Sequence, residues 1–186
     1  MSKKATITCD IDGVLNFYPQ TLINYAQNEH NVFISDLSQF KSQYFQKYTE
    51  IKSAYRYSAY KHKADPRTSV VHALNSLSNK GCNIVVFTTR PFDRYPGMFE
   101  MTFEWLQFIG LKFSTLQAKT KSNFDVIKPL FHLDDRLDHI LDIYSPKTEF
   151  LLFQDPAANH DVLPYSNIVR VTEHTLSDAI ERLTHD

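Results

Sequence analysis

Short apolar runs that end abruptly at polar residues recur along the chain and predict the strands of a buried sheet. These runs lie at residues 5–9, 83–87, 113–116, 130–133, 149–153 and 168–171. Between them, apolar residues recur every three or four positions and predict helices at 70–79, 97–109, 122–128 and 176–183. Nearly continuous apolar strands that alternate with helices are typical of a parallel sheet. The pattern therefore predicts an α/β protein.

Residues 16–66 interrupt this alternation with a segment of helical spacing. Apolar positions predict three helices there, around 22–26, 37–48 and 51–59, and Asp65-Pro66 ends the segment. We therefore expect one domain over residues 1–186, with a helical subdomain inserted after its first strand. The subdomain is rich in aromatic residues. These either form its own core, which the helical spacing favours, or stack on a nucleobase.

Composition and motifs argue against several classes of protein. The 186 residues carry a formal net charge of −1, which argues against wrapping of nucleic acid by bulk electrostatics. Neither a GxGxxG motif nor a P-loop is present. No apolar run approaches the roughly 20 residues of a membrane span, and Cys9 and Cys82 are interpreted as reduced core thiols. We expect a cytoplasmic protein with no membrane partner, and the sequence leaves its oligomeric state open.

Three of the predicted strands end in polar clusters. The clusters are Asp10-Ile11-Asp12, Thr88-Thr89-Arg90 and Asp134-Asp135. Because the carboxyl ends of parallel strands form the ligand crevice of an open sheet, we expect these clusters to meet in one pocket. Its carboxylates repel one another unless a hard divalent cation lies among them, and oxygen ligands favour Mg²⁺ over Zn²⁺. With a hydroxyl and a lysine to bind phosphate oxygens, the pocket suits phosphoryl transfer.

The same clusters lie in motifs that resemble those of the haloacid dehalogenase-like phosphatases. DIDGVL at 10–15 resembles the first motif of that superfamily, VVFTTR at 85–90 the second and HLDD at 132–135 the fourth. The third motif is a lysine ahead of the fourth. The resemblance implies a Rossmann-like three-layer parallel sheet, in which residues 16–66 form a small helical cap. It also implies a Mg²⁺-dependent phosphomonoesterase whose substrate is a small phosphate monoester.

The resemblance implies a role for each acidic residue of the clusters. Asp10 would be the nucleophile that forms an aspartyl-phosphate, and Asp12 would be the general acid and base. A neighbouring carboxylate that raises the pKa of Asp12 would suit that role. Mg²⁺ would be bound by Asp10, by the backbone carbonyl of Asp12 and by one of Asp134 or Asp135. Thr88 would hold the phosphoryl oxygens.

Two lysines compete for the third motif, and several other residues are candidates for substrate contacts. Lys121, at the predicted start of a helix, is preferred over Lys119 as the phosphate-binding lysine. Arg90 would contact the leaving group or a neighbouring phosphate, or else pair with an acid at the rim of the crevice. The further candidates for substrate contacts are Thr89, Lys119, Phe17 and Tyr18. The basic residues interpreted as a solvated face, or alternatively as a phosphate-attracting patch beside the crevice, are Arg56, Lys61, His62 and Lys63.

The substrate prediction depends on finer likenesses within the superfamily. The helical cap and residues 150–161, which include Asn159, are similar to the 5′(3′)-deoxyribonucleotidases and imply a nucleoside monophosphate substrate. Thr89-Arg90-Pro91 departs from that branch and is closer to polynucleotide 3′-phosphatases, which act on a nucleic-acid 3′ end. A catalytically silent module that binds phosphate or a nucleotide is the third alternative. The intact pair of Asp10 and Asp12 argues against it.

Overall fold

The protein, described by a computed structural model over residues 4–154 and 162–184, contains one parallel sheet. Within these residues the strands are β1 (Thr6–Cys9), β2 (Asn83–Thr88), β3 (Thr115–Ala118), β4 (Phe131–Asp134), β5 (Glu149–Phe153) and β6 (Ile168–Val171). Their order is β3-β2-β1-β4-β5-β6, and every neighbouring pair is parallel. The predicted parallel α/β sheet is confirmed. The observed β3 lies two residues later than the predicted strand at 113–116.

The register of the sheet brings the ends of three strands together. In β1, Cys9 is the register partner of Val86 in β2 and of Leu133 in β4. The chain passes from β1 to β2 on one side and returns to β4 on the other, so a topological switch point lies beside β1. Ligands of open α/β sheets bind at such a point, outside the carboxyl ends of the strands.

Helical residues between β1 and β2 fold around a core of their own. The first four helices are α1 (Gln20–His30), α2 (Leu37–Gln43), α3 (Phe45–Tyr55) and α4 (Ala59–His62). Tyr25 and Tyr55 contact each other with ring centroids 5.7 Å apart, and Phe40 meets Tyr48 nearly perpendicularly at 5.0 Å. Most aromatic side chains of this insertion are therefore core residues, as their spacing favours. Phe45 is an exception, with 73% of its surface exposed.

The insertion leaves and rejoins the sheet domain at one place. Asn16 and Pro66 form an antiparallel bridge, and the Arg67 amide donates to the Leu15 carbonyl at 2.9 Å. The indole of Trp105 donates to the Ala64 carbonyl at 3.0 Å. These contacts hold the insertion against the end of β1, next to the switch point.

The remaining helices cover both faces of the sheet. They are α5 (Thr68–Asn79), α6 (Met98–Phe108), α7 (Lys121–Ile127), α8 (Leu137–Ile143) and α9 (Leu176–Thr184). Adjacent strand residues such as Leu151 and Leu152 belong to different hydrophobic clusters, because side chains of a strand alternate between the two faces. One cluster packs against α5, α6 and α9, and the other packs against α7 and α8. The result is a three-layer α/β arrangement.

Two further expectations can be compared with the described residues. Cys9 is buried, Cys82 is half-buried, and neither forms a disulfide. Among the helices of the described residues, none has the length and apolar character needed to cross a membrane. Asn159, which belongs to the segment that resembles the 5′(3′)-deoxyribonucleotidases, lies outside the described residues.

Candidate active site

Asp10 lies at the centre of the polar residues that follow the strand ends. Its amide donates to the Leu133 carbonyl at 2.8 Å, which fixes the backbone beyond β1 against β4. Asp10 is only 3% exposed; Oδ2 is 2.9 Å from the ammonium of Lys119, and Oδ1 is buried without a hydrogen-bond partner among the described residues. Burial raises the pKa of Asp10; Lys119 lowers it in part, and the Asp134 carboxylate raises it again. Lys119 therefore holds one carboxylate oxygen of Asp10, while the other oxygen has no hydrogen-bond partner among the described residues.

The structure corrects the choice between the two lysines. Lys119 follows β3, its side chain is 2% exposed, and its ammonium contacts both Asp10 and Asp134. Its amide donates to the Thr88 carbonyl at 2.7 Å, so the β3–β2 ladder continues one residue further and turns this side chain into the site. Lys121 begins α7, is 46% exposed and pairs with Asp125. The sequence-based preference for Lys121 is therefore wrong, since only Lys119 contacts the buried carboxylates.

Asp134, the last residue of β4, is fully buried in a hydrogen-bonded chain. Its Oδ2 is 3.0 Å from Nε2 of His132, whose Nδ1 is 2.8 Å from the Thr8 hydroxyl. Its Oδ1 accepts from the Arg136 amide at 3.1 Å. Although burial raises the pKa of Asp134, the His132 hydrogen bond and the Lys119 charge outweigh burial and lower it below the ordinary value. His132 is thus a packed residue that orients Asp134.

Asp135 lies on the other side of the site, against Gly13. Burial and the carboxylates of Asp10 and Asp134 raise the pKa of Asp135 to about 8. Its Oδ1 is buried without a hydrogen-bond partner among the described residues. Gly13 has a φ of +90°, and a Cβ built on it would lie 2.0 Å from Asp135 Oδ2. The glycine is therefore needed both for its backbone conformation and for the space that Asp135 occupies.

We expect Gly13→Ala to destabilise the protein by about 1–3 kcal/mol more than Gly81→Ala, because the new methyl group displaces a packed side chain. Gly81 is the matched control: its φ is +94°, but a Cβ there meets nothing within 4 Å. The difference in free energy of unfolding between the two variants therefore isolates the clash with Asp135 from backbone strain. Equal losses in chemical denaturation would contradict this account.

Asp12 is held by two cations rather than by a neighbouring acid. Nη2 of Arg90 lies 2.8 Å from one of its oxygens, and the ammonium of Lys61 lies 2.6 Å from both. Burial raises the pKa of Asp12, but the charges and hydrogen bonds of Arg90 and Lys61 outweigh burial and hold that pKa well below its ordinary value. The expectation of a raised pKa for Asp12 is therefore wrong in this conformation. Here Asp12 is an ionised carboxylate held by both cations.

Lys61 is a site residue that the sequence interpretation missed. It belongs to α4 of the insertion and is 5% exposed, so the prediction that it lies on a solvated face is wrong. Its ion pair with Asp12 spans 49 positions of sequence.

Arg90 also donates to Thr102 at 2.9 Å. Because Arg90 also pairs with Asp12, the structure agrees with the alternative in which Arg90 pairs with an acid.

The remaining predicted contacts divide between the pocket and its surroundings. Tyr18 and Thr89 line the pocket together with Asp10, Asp12, Asp135 and Arg90. Thr88 is buried below the pocket, where its hydroxyl accepts from the Arg90 amide at 3.3 Å. Phe17 is 40% exposed and packs on the Arg67 guanidinium, 4.3 Å from its ring centroid, rather than lining this pocket. The expectation that Phe17 forms a pocket wall is therefore wrong.

The carboxylates of the site fit a divalent cation. Ligand atoms of Asp10, Asp134 and His139 all lie within 4.8 Å of one another. Buried Asp135 Oδ1 and His139 Nδ1 have no hydrogen-bond partner among the described residues. A cation there would give these atoms a ligand bond and would offset the repulsion that raises the pKa of Asp135. His139 went unnoticed in the sequence, where it lies five positions after Asp134 and is brought back to the site by α8.

We expect Mg²⁺ or Mn²⁺ to raise the melting temperature of the wild-type protein by roughly 5–10 °C at 100 times the dissociation constant. Asp135→Asn should lose most of that increase. Without metal, however, the variant should melt no lower than wild type near pH 7, because a carboxyl with a raised pKa destabilises the fold as pH rises toward that value. Thermal unfolding in metal-free buffer and with each ion measures both effects. An undiminished metal response in Asp135→Asn would exclude this carboxylate as a ligand.

The arrangement of strands and helices is shared with solved hydrolases of low sequence identity. A predicted phosphatase from Clostridium acetobutylicum is 14% identical, with a TM-score of 0.63 over 97% of this chain and 100% of that chain. A HAD family hydrolase from Deinococcus radiodurans R1, solved with bound phosphate and sodium, is 10% identical, with a TM-score of 0.64 over 98% and 97% of the two chains. The chain has the fold of the HAD hydrolases.

CbbY from Rhodobacter sphaeroides, solved in complex with phosphate, is a third solved structure with a similar fold. It is 10% identical, with a TM-score of 0.57 over 91% of this chain and 94% of that chain. No protein-family model matches the sequence, and no curated protein matches it. At such identities the likeness concerns the fold, while the chemistry depends on the residues of the site.

Proposed function

We propose that this protein is a Mg²⁺-dependent phosphomonoesterase that acts through an aspartyl-phosphate on Asp10. The observation that carries the proposal is the state of the Asp10 carboxylate. Lys119 holds one oxygen, the other is buried without a hydrogen-bond partner among the described residues, and Asp10 lines a pocket at the switch point. Such a carboxylate is oriented for attack on a phosphorus atom. The phosphate bound in two structures of the same fold is consistent with this chemistry.

The proposed reaction uses two carboxylates in two steps. In the first step, Asp10 Oδ1 bonds to phosphorus, the bond from phosphorus to the leaving oxygen breaks, and Asp12 gives that oxygen a proton. In the second step, water attacks phosphorus and the bond to Asp10 breaks, while Asp12 takes the proton of the water. Lys61 and Arg90 keep Asp12 ionised, as the second role requires, but they also lower its affinity for a proton. Both cations must therefore loosen from Asp12 in either role, and the negative phosphoryl group competes for them.

The proposed cation site consists of Asp10, Asp134, Asp135 and the backbone carbonyl of Asp12. His139 lies within reach of the same position. When bound, Mg²⁺ would neutralise charge on the phosphoryl oxygens. The Lys119 ammonium, which contacts both Asp10 and Asp134, would add a further positive charge near the phosphoryl group.

We propose a nucleoside monophosphate as the preferred substrate. The insertion stands close to the catalytic carboxylates, because Lys61 in α4 reaches Asp12 and because Tyr18 and Tyr55 line the pocket. The pocket has a volume of about 150 Å³, and its wall of insertion residues favours a small ester over a nucleic-acid strand. Removal of the substrate from bulk water is a general function of such lids.

A polynucleotide 3′-phosphatase is the second candidate, and further cations of the pocket favour it. Lys52, Arg56 and Arg136 line the pocket, where they would meet the backbone of a strand. The intact pair of Asp10 and Asp12 disfavours the third candidate, a silent binding module.

Phosphate release distinguishes these candidates. We would assay the protein with and without Mg²⁺ on 5′- and 3′-(deoxy)nucleoside monophosphates, a 3′-phosphorylated oligonucleotide and 4-nitrophenyl phosphate. The proposal predicts Mg²⁺-dependent release that is fastest from a nucleoside monophosphate. Fastest release from the oligonucleotide would support the second candidate. No release from any ester, with nucleotide binding detected by calorimetry, would favour the silent module.

A further inference from the structure

Two cations of the insertion face the pocket but take no part in the chemistry proposed above. Lys52 lies in the last turn of α3, and Arg56, four positions on, is the C-cap residue with helical backbone angles, so both side chains share one face. Both are half-buried, and both line the pocket that contains Asp10 and Asp12. We call these two residues the α3 cation pair.

The α3 cation pair has only neutral partners. The ammonium of Lys52 donates to the Tyr48 hydroxyl at 2.8 Å. The guanidinium of Arg56 donates to the Tyr95 hydroxyl and stacks on its ring, with Cζ 4.4 Å from the ring centroid. Among the described residues, no carboxylate lies within 4.0 Å of either cation. Two like charges on one helix face, partly removed from water, are stabilised when an anion binds between them.

The acids on the floor of the pocket do not supply that anion. Asp10 is paired with Lys119, and Asp12 is paired with Lys61 and Arg90. Arg136, the remaining cation that lines the pocket, pairs with Asp138. Asp135, the third acid that lines the pocket, lies against Gly13. The α3 cation pair thus consists of the cations of the described pocket that no carboxylate pairs, and both line the space that a substrate enters.

We propose that the α3 cation pair binds a second anionic group of the substrate, separate from the phosphoryl group that reacts at Asp10. This inference rests on the proposed phosphatase function. The ligand chemistry is a small phosphate ester that carries a second phosphate or a carboxylate, because an ammonium and a guanidinium bind either group. It refines the proposed substrate from a simple monophosphate to a nucleotide with two phosphates, or to a phosphorylated acid.

Matched pairs of esters test the inference. Deoxyadenosine 3′,5′-bisphosphate is compared with the 3′- and 5′-monophosphates, and phosphoglycolate with ethyl phosphate. Within at least one set, we expect the ester with the second anion to have a kcat/KM roughly tenfold higher, mainly through KM. Lys52→Gln and Arg56→Gln should each remove most of this advantage. Lys47→Gln, a change of an exposed lysine on the same helix, should keep it.

The outcomes separate this inference from the proposed function. Hydrolysis of 4-nitrophenyl phosphate without any advantage of a second anion would overturn the inference alone. If Lys52→Gln and Arg56→Gln lower kcat/KM equally for both members of a pair, the inference is also overturned, because a merely structural role gives that result. An effect of the variants confined to a 3′-phosphorylated oligonucleotide would assign the cations to a strand instead.

Binding provides a measurement that does not require turnover. Calorimetry of the Asp10→Asn variant with the same pairs should show tighter binding of the esters with two anions, and this difference should shrink in Asp10→Asn/Arg56→Gln. Absence of hydrolysis by the wild type together with this discrimination would refute the phosphatase proposal and leave the anion site standing. Equal binding of both members of every pair would refute the anion site.

Discussion

Replacing Asp10 by Asn is expected to lower Mg²⁺-dependent phosphate release by roughly 10³-fold or more, equivalent to about 4 kcal/mol of activation free energy. The amide cannot form the aspartyl-phosphate, because it is a poor nucleophile. It also removes a charged oxygen that Lys119 holds at 2.9 Å. Initial rates of phosphate release at saturating Mg²⁺, with the best ester of the panel, measure the effect.

Stability and a matched variant distinguish this loss from misfolding. Burial raises the pKa of Asp10, so removal of its charge relieves a desolvation penalty, and Asp10→Asn should melt within a few degrees of wild type. Asp125→Asn changes an exposed carboxylate on α7 and should keep full activity. Substantial activity in a folded Asp10→Asn protein would show that another group, or water directly, attacks phosphorus.

Replacing Lys119 by Met is expected to impair both stability and catalysis. The free energy of unfolding should fall by about 3–5 kcal/mol, because Asp10 and Asp134 are left as buried carboxylates without their shared cation. Phosphate release should fall by roughly 10²-fold or more, because the negative charge near the reacting phosphorus is no longer offset. Chemical denaturation and phosphate-release assays measure the two effects.

Lys121→Met is the matched control, since it removes an exposed lysine two positions away. Its ion pair with Asp125 is solvated, so stability should change by no more than about 0.5 kcal/mol and activity should remain. Should Lys119→Met fail to fold, Lys119→Arg keeps the charge and should restore folding with reduced activity. Equal behaviour of Lys119→Met and Lys121→Met would show that Lys119 has no special part in the site.

The α/β sheet and the meeting of its polar ends could be predicted from local patterns. Apolar strands such as Asn83–Thr88 and Glu149–Phe153 are buried over nearly their whole length, so each leaves a continuous signal in the sequence. Asp10 and Asp134 then follow or end neighbouring strands. Because parallel strands point the same way, the order of strands and clusters along the chain already implied that these acids would meet.

Whether Lys119 or Lys121 enters the site depends on where β3 begins and ends, and the sequence did not reveal these bounds. The predicted strand at 113–116 is observed at Thr115–Ala118, so the strand ends directly before Lys119. A hydrogen bond from the Lys119 amide to the Thr88 carbonyl turns this residue inward. Lys121 instead begins a helix and points its charge to water. A shift of two residues is below the resolution of periodicity, yet it decides which lysine enters the site.

The ionisation of the site was decided by contacts between distant segments. Lys61 and Arg90 meet Asp12 across 49 and 78 positions of sequence, and together they lower the pKa that the local acidic cluster had suggested would rise. The sequence by itself determined the strands, the acidic strand ends and the helical insertion. Only the tertiary structure decided which cations reach which acids, because charges interact through space and their burial depends on how the insertion packs over β1.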